Sequence, residues 1–197
     1  MTDLVIIKGS TFSRVLRWEA APLVSTAITA ITKAAPAVIT SAAHGLVDGW
    51  RAAIVSAGGM RQINAKNYPP RTLDFHKVTY IGATQVSMND VNSTNYSAYT
   101  SGGFLVSYTP VSLSGFTARM MIRLTAETAD PALVSLVSPG DIVLDDTYHT
   151  ITITMTAAAT AALAFATGAY DLELVSGAGV VTKLISGNVF VTDEVTR

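Results

Sequence analysis

Three histidines, His44, His76 and His149, are the side chains of this chain that titrate near neutral pH without perturbation. To bind a metal they would have to converge with carboxylates. They lie in three separate segments with neither an HxH nor an HExxH spacing, so no metal site is predicted. His44 precedes Gly45 in a turn, where its ring is expected to fix the loop by a hydrogen bond. Asp141, Asp145 and Asp146 lack the alternating acids, central glycine and terminal glutamate of a calcium loop, and read as a solvated hairpin. Asp171 and Glu173 fall on one face of a predicted strand. A glycosidase would need such a pair, but an exposed strand face with cationic neighbours produces it as cross-strand ion pairs. No GxSxG elbow anchors a serine triad, and Gly58-Gly59 and Gly177-Ala178-Gly179 are too short for a dinucleotide fingerprint. The absence of cysteine excludes disulfides, thiolate zinc sites and thiol catalysis. The chain is therefore expected to be non-enzymatic, with no catalytic residue, cofactor or metal ligand.

The remaining candidate cluster is aromatic. Tyr96, Tyr99, Phe104 and Tyr108 stand among Asn92, Asn95 and several serines and threonines. Aromatic faces flanked by amides can take a sugar or a partner surface. The competing reading, in which the four rings seal one part of the chain against another, is favoured.

Composition narrows the partners. Charged residues make up 14% of the chain and the formal net charge is -1, which leaves no electrostatic footprint for nucleic acid or an anionic membrane. The apolar fraction of 49% supports a full core in 197 residues, yet no stretch approaches the roughly 18 to 20 uninterrupted apolar residues of a membrane span. The start, with Asp3 and an apolar run ending at Lys8, predicts no secretion signal. Few charges and many small residues also suit a subunit whose surface is covered by neighbours.

The elements that must position these residues are strands. Alternation with β-branched enrichment marks 4–8, 12–18 ending at Pro22, 118–124, 142–144, and 150–155, where threonines face out and Ile151, Ile153 and Met155 face in. Strands 169–175 and 180–185 form a hairpin through residues 176–179, and a last strand follows at 189–191. One short helix is expected at 157–166, with Thr156 as N-cap and Thr167-Gly168 as stop. Between these halves the text turns richer in Ala, Gly, Asn and Tyr, with short strands at 28–32, 37–40, 52–55, 77–81 and 85–88. Strands 12–18 and 118–124 read as sequential members of one sheet. The division is thus a discontinuous host domain, 1–26 plus 107–197, with a small β-domain, 27–106, inserted in an early loop.

Two family likenesses cover nearly the whole chain. Residues 9–14 (GSTFSR), 113–123 (LSGFTARMMIR), 170–174 (YDLEL) and 189–197 resemble a small β-sandwich of phage tail and baseplate proteins, including the N-terminal domain of upper-baseplate proteins of lactococcal phages. In that family the first two segments are separated by a short turn, so this chain departs from it by the length of its insert. The insert, through residues 28–38 (ITAITKAAPAV), Ala43-His44-Gly45-Leu46, Gly58-Gly59-Met60 and Asn64, resembles a module carried by phage tail and fibre proteins. That module is labelled as similar to the first catalytic-cysteine half-domain of ubiquitin-activating enzymes. The label names a fold, since no cysteine is present, and residues 68–76 with Pro69-Pro70 depart from the module. Neither likeness brings catalytic residues.

The resemblances imply an all-β fold: an immunoglobulin-like β-sandwich with a small β-barrel-like domain inserted in an early loop. They imply a structural component of a tailed-phage virion, in the tail, baseplate, collar or head decoration. It would be made in the cytoplasm of the bacterial host and would dock on other virion structural proteins as a homo-oligomer in a symmetric assembly. The alternative is a carbohydrate-binding or host-adhesion module of a tail fibre or spike, taking a glycan at Tyr96 to Tyr108. A cell-wall hydrolase is a third reading, which the residues hardly support.

Overall fold

The computed structural model describes residues 2–194. Met1 and the end of the 189–197 segment, residues 195–197, lie outside the described residues. Along the chain run β1 (Leu4–Ile7), β2 (Phe12–Leu16), β3 (Glu19–Ile31), β4 (Ala37–Ser41), β5 (Arg51–Val55), β6 (His76–Gly82), β7 (Gln85–Met88) and β8 (Phe104–Pro110). There follow β9 (Thr117–Arg123), β10 (Val134–Val137), β11 (Ile142–Asp145), β12 (Thr150–Met155), the helix α1 (Ala157–Ala161), β13 (Thr167–Val175) and β14 (Val181–Thr192). The protein is all-β with one short helix among the described residues. It divides into two compact units: Glu19–Thr109, and the chain on either side of it.

The flanking unit has a five-stranded sheet in the order β1-β14-β13-β9-β10 and a three-stranded sheet in the order β11-β12-β2. Strict alternation turns one face of each strand inward. Ile151, Ile153 and Met155 of β12 are buried with the threonines between them turned outward, as the sequence predicts. They share a core with Met120 and Ile122 of β9, Leu172 and Leu174 of β13, and Leu4 and Ile6 of β1. Burying each such side chain is worth about 1.5–3 kcal/mol, and the two sheets pack face to face as a sandwich.

Several expectations are corrected here. Strands β2 and β9 do not share a sheet. Strand β2 pairs antiparallel with β12, Phe12 opposite Met155, while β9 lies between β13 and β10. Alternation reports which side chains face a core, and that is the same for strands in one sheet or on opposite sides of it. The helix ends at Ala161 rather than 166. Thr156 does cap it, accepting from the Ala159 N–H at 3.2 Å, but Leu163 and Phe165 leave the helical path to pack on the sandwich core. So short a helix depends on tertiary contacts, and the core's demand for these side chains ends it. The expected break at residues 186–188 is absent, because β14 runs unbroken through Gly187, which stands opposite Tyr170. Strand β10 was not anticipated.

The unit Glu19–Thr109 is a closed barrel in the order β3-β4-β7-β6-β5-β8. Its interior holds Trp50, Ile39, Ile54, Met60, Val78, Val86 and Met88, together with the small Ala37 and Ala52. The unit begins at Glu19, eight residues before the composition changes, because β3 continues past Pro22 to Ile31. Pro22 is exposed, and the pairing of β3 with β4 begins only at Ile28, so the missing N–H removes no bond from that ladder. Phe104 and Tyr108 of the aromatic cluster lie on strand β8, with Phe104 opposite Val55 and Val106 opposite Ala53 of β5.

Candidate functional site

The structure separates the four sequence-predicted aromatics. Tyr96 and Tyr99 are half-buried against the barrel core. The Tyr99 hydroxyl lies 2.9 Å from both the Ile28 carbonyl on β3 and the Gly102 carbonyl in its own loop. Phe104 is exposed on β8. Tyr108, four residues further along the same strand, stacks on Phe75 at 5.6 Å between ring centroids and 25° between planes. Two of the rings thus seal the barrel, and one belongs to a different cluster.

That cluster is the best-built polar site of the barrel unit. Arg51 opens β5 and Glu19 opens β3. The Arg51 Nε donates to Glu19 Oε1 at 2.7 Å and Oε2 at 3.0 Å, and Nη2 also reaches Oε2. The Glu19 side chain is only 15% exposed, so the guanidinium neutralises a carboxylate largely removed from water. The hydrogen bond to Glu19 in turn raises the pKa of Arg51 above its already high ordinary value. The guanidinium carbon sits 5.4 Å from the Phe75 ring centre and 5.8 Å from that of Tyr108, within cation–π range of both. Glu19, Arg51, Phe75 and Tyr108, with Ala21, Pro70, Arg71 and Thr72, line a cleft of about 640 Å³. Only Tyr108 of this group was singled out in the sequence. The available signals were a charge opening each of two apolar strands, at Glu19 and Arg51, and the Pro69-Pro70 pair.

The other candidates resolve into structural roles. His44 is buried; its Nδ1 accepts the Leu46 N–H at 3.0 Å and its Nε2 lies 2.9 Å from the Gly82 carbonyl, so both ring nitrogens hold backbone. His76 Nδ1 is 2.9 Å from Asp90 Oδ1, and His149 Nδ1 is 3.7 Å from Asp146 Oδ1. Among the described residues no group of three or more His, Asp or Glu side chains is arranged to hold a metal. Asp145 pins its hairpin by accepting the Thr147 and Tyr148 N–H groups at 2.8 and 3.0 Å. Asp146 accepts the Leu113 N–H at 2.5 Å and the Ser112 hydroxyl at 2.9 Å, and these bonds, the backbone one foremost, hold its carboxyl below the usual range. Glu173 pairs with Arg119 at 2.7 Å and Asp171 with Lys183 at 3.2 Å, each across neighbouring strands. Comparison with protein-family models and with curated proteins finds no match for the chain.

Proposed function

We propose that the chain is a structural, non-enzymatic component of a tailed-bacteriophage virion, acting by docking on copies of itself and on neighbouring virion proteins. The observation that carries the reading is the outer face of the β1 edge. Strand β1 ends the five-stranded sheet, and its outward side chains Val5 and Ile7 are 59% and 46% exposed. Val5 stands beside Phe190 of β14, itself 41% exposed. A row of apolar side chains beside a free strand edge is costly for a subunit that stays alone, and productive for one paired in a symmetric assembly. The resemblances of the outer segments and of the insert to phage tail modules point the same way, as does the low charge of the chain. On this reading the protein is made in the bacterial cytoplasm, is incorporated into the particle and needs no cofactor. Mass spectrometry of purified particles tests it: the chain is recovered at stoichiometric abundance, and its absence from intact particles would sink the reading.

A further inference from the structure

The barrel cleft combines features that a docking subunit does not require. Its charged lining is Arg51, Arg71 and Glu19, and Glu19 is already engaged by Arg51. The cleft therefore carries a surplus positive charge in a chain whose formal net charge is -1. Glu19 takes Nε and Nη2 of Arg51, which leaves the Nη1 amine turned away from the carboxylate. Arg71 is exposed at the rim, its backbone fixed by the bond from its N–H to Asp74. The Phe75 and Tyr108 rings supply an apolar wall, and the hydroxyls of Thr72 and Tyr108 supply neutral hydrogen-bonding groups.

We infer that this cleft binds an anionic saccharide, its carboxylate on Arg71 and the free Arg51 amine and the C–H face of its ring against the Phe75–Tyr108 pair. The volume, about 640 Å³, falls within the roughly 300–1,000 Å³ typical of small-molecule sites. Carboxylate recognition suits the guanidinium fork of Arg71, that of Arg51 being held by Glu19. A phosphate would be better served by converging backbone N–H groups, whereas no glycine lines the cleft and Pro70 offers no N–H at all. The inference is independent of the virion reading, and its failure leaves that reading standing.

The test is a titration of the full chain with sodium glucuronate, followed by two-dimensional amide NMR, with glucose, sodium acetate and adenosine monophosphate in parallel. Saturable shifts at residues 71–75 and 108 are expected with glucuronate, and weaker binding with each of the other three. Arg71→Ala, at an exposed position, weakens glucuronate binding by about tenfold or more, the scale of one charge-assisted contact, while Arg71→Lys retains part of it. Arg71→Lys also serves as the readout if the alanine variant loses its native amide spectrum. Absence of saturable binding, equal binding of acetate or glucose, tighter binding of the nucleotide, or an unchanged affinity in both Arg71 variants would each overturn the inference.

Discussion

The Asp74 carboxylate accepts the backbone N–H of Arg71 at 2.8 Å, closing the turn that places the arginine at the rim of the barrel cleft. The same carboxylate takes the Lys66 N–H at 3.0 Å and the Asn67 side-chain amide at 2.9 Å. One buried acid therefore organises the whole stretch from Lys66 to Asp74. Loop backbone of this kind has no ladder to satisfy it, and a multiply accepting carboxylate substitutes for one.

These bonds hold the Asp74 carboxyl below the usual range, the Arg71 N–H contributing most and the Asn67 amide next. A carboxyl whose folded value is depressed stabilises the fold fully above its unfolded value, and the contribution is lost as pH falls through the folded value. Asp74→Asn is thus expected to lower the melting temperature at pH 7, with the difference from wild type shrinking once pH falls below about 4. Thermal melts of both proteins from pH 7 to pH 2.5 check this. A gap that stays constant over that range would contradict the assignment.

A second expectation concerns the β1 edge. A Cβ on Gly187 would lie 2.3 Å from the Thr2 carbonyl oxygen, and that oxygen also accepts the Tyr170 hydroxyl at 2.6 Å. Gly187→Ala must push the start of the chain away from β14, straining the parallel pairing of Leu4 with Val189. The expected cost is about 1–3 kcal/mol, the usual scale of overpacking. It is read by urea denaturation and by lost amide protection over residues 4–7. Gly82→Ala, where a Cβ meets nothing within 4 Å, serves as the control and should change little.

These two positions also show what the text of the chain discloses. The inward set of β12 is legible because residues two apart share a face, and Ile151, Ile153 and Met155 are indeed buried. Gly187 reads locally as a turn residue, since its reason for being glycine lies in Thr2, at the far end of the chain. The barrel cleft was hidden for the same reason: Glu19, Arg51, Phe75 and Tyr108 come from four separate stretches, and no local period links them. Strand pairing was likewise invisible for β2, whose partner β12 lies more than a hundred residues away. Tyr96 and Tyr99 were visible as a cluster because they are close in sequence, although the structure sends them to the barrel wall and Tyr108 elsewhere.

The Glu19–Arg51 pair is expected to couple strongly for an ion pair near the surface. It is bidentate, and its acid is mostly buried. Glu19→Gln leaves Arg51 stacked on the rings without its counter-charge, and Arg51→Lys loses the planar fork. A double-mutant cycle on unfolding free energy should give a coupling of about 1–2 kcal/mol, above the few tenths common for exposed pairs. Additive single effects would mean that the pair contributes only packing.

The last expectation separates the two roles open to Tyr99. Its hydroxyl faces the Ile28 and Gly102 carbonyls, so the group that would recognise a sugar is already engaged in tying a loop to β3. Tyr99→Phe keeps the ring against the barrel core and removes only that tie. Leaving a carbonyl short of its partner costs about 1 kcal/mol, which corresponds to a drop of about 4–8 °C in melting temperature for a domain of this size. If the proposed virion role holds, adsorption of particles carrying the substitution should then match wild type once the protein is folded and incorporated. The opposite pattern, an unchanged melting temperature with lost adsorption, would place Tyr99 on a receptor, and the barrel wall around Tyr96 would become the adhesive face. Because the ring is kept, a change in attachment could not be blamed on a collapsed core, which makes Tyr99→Phe a cleaner discriminator than Tyr99→Ala.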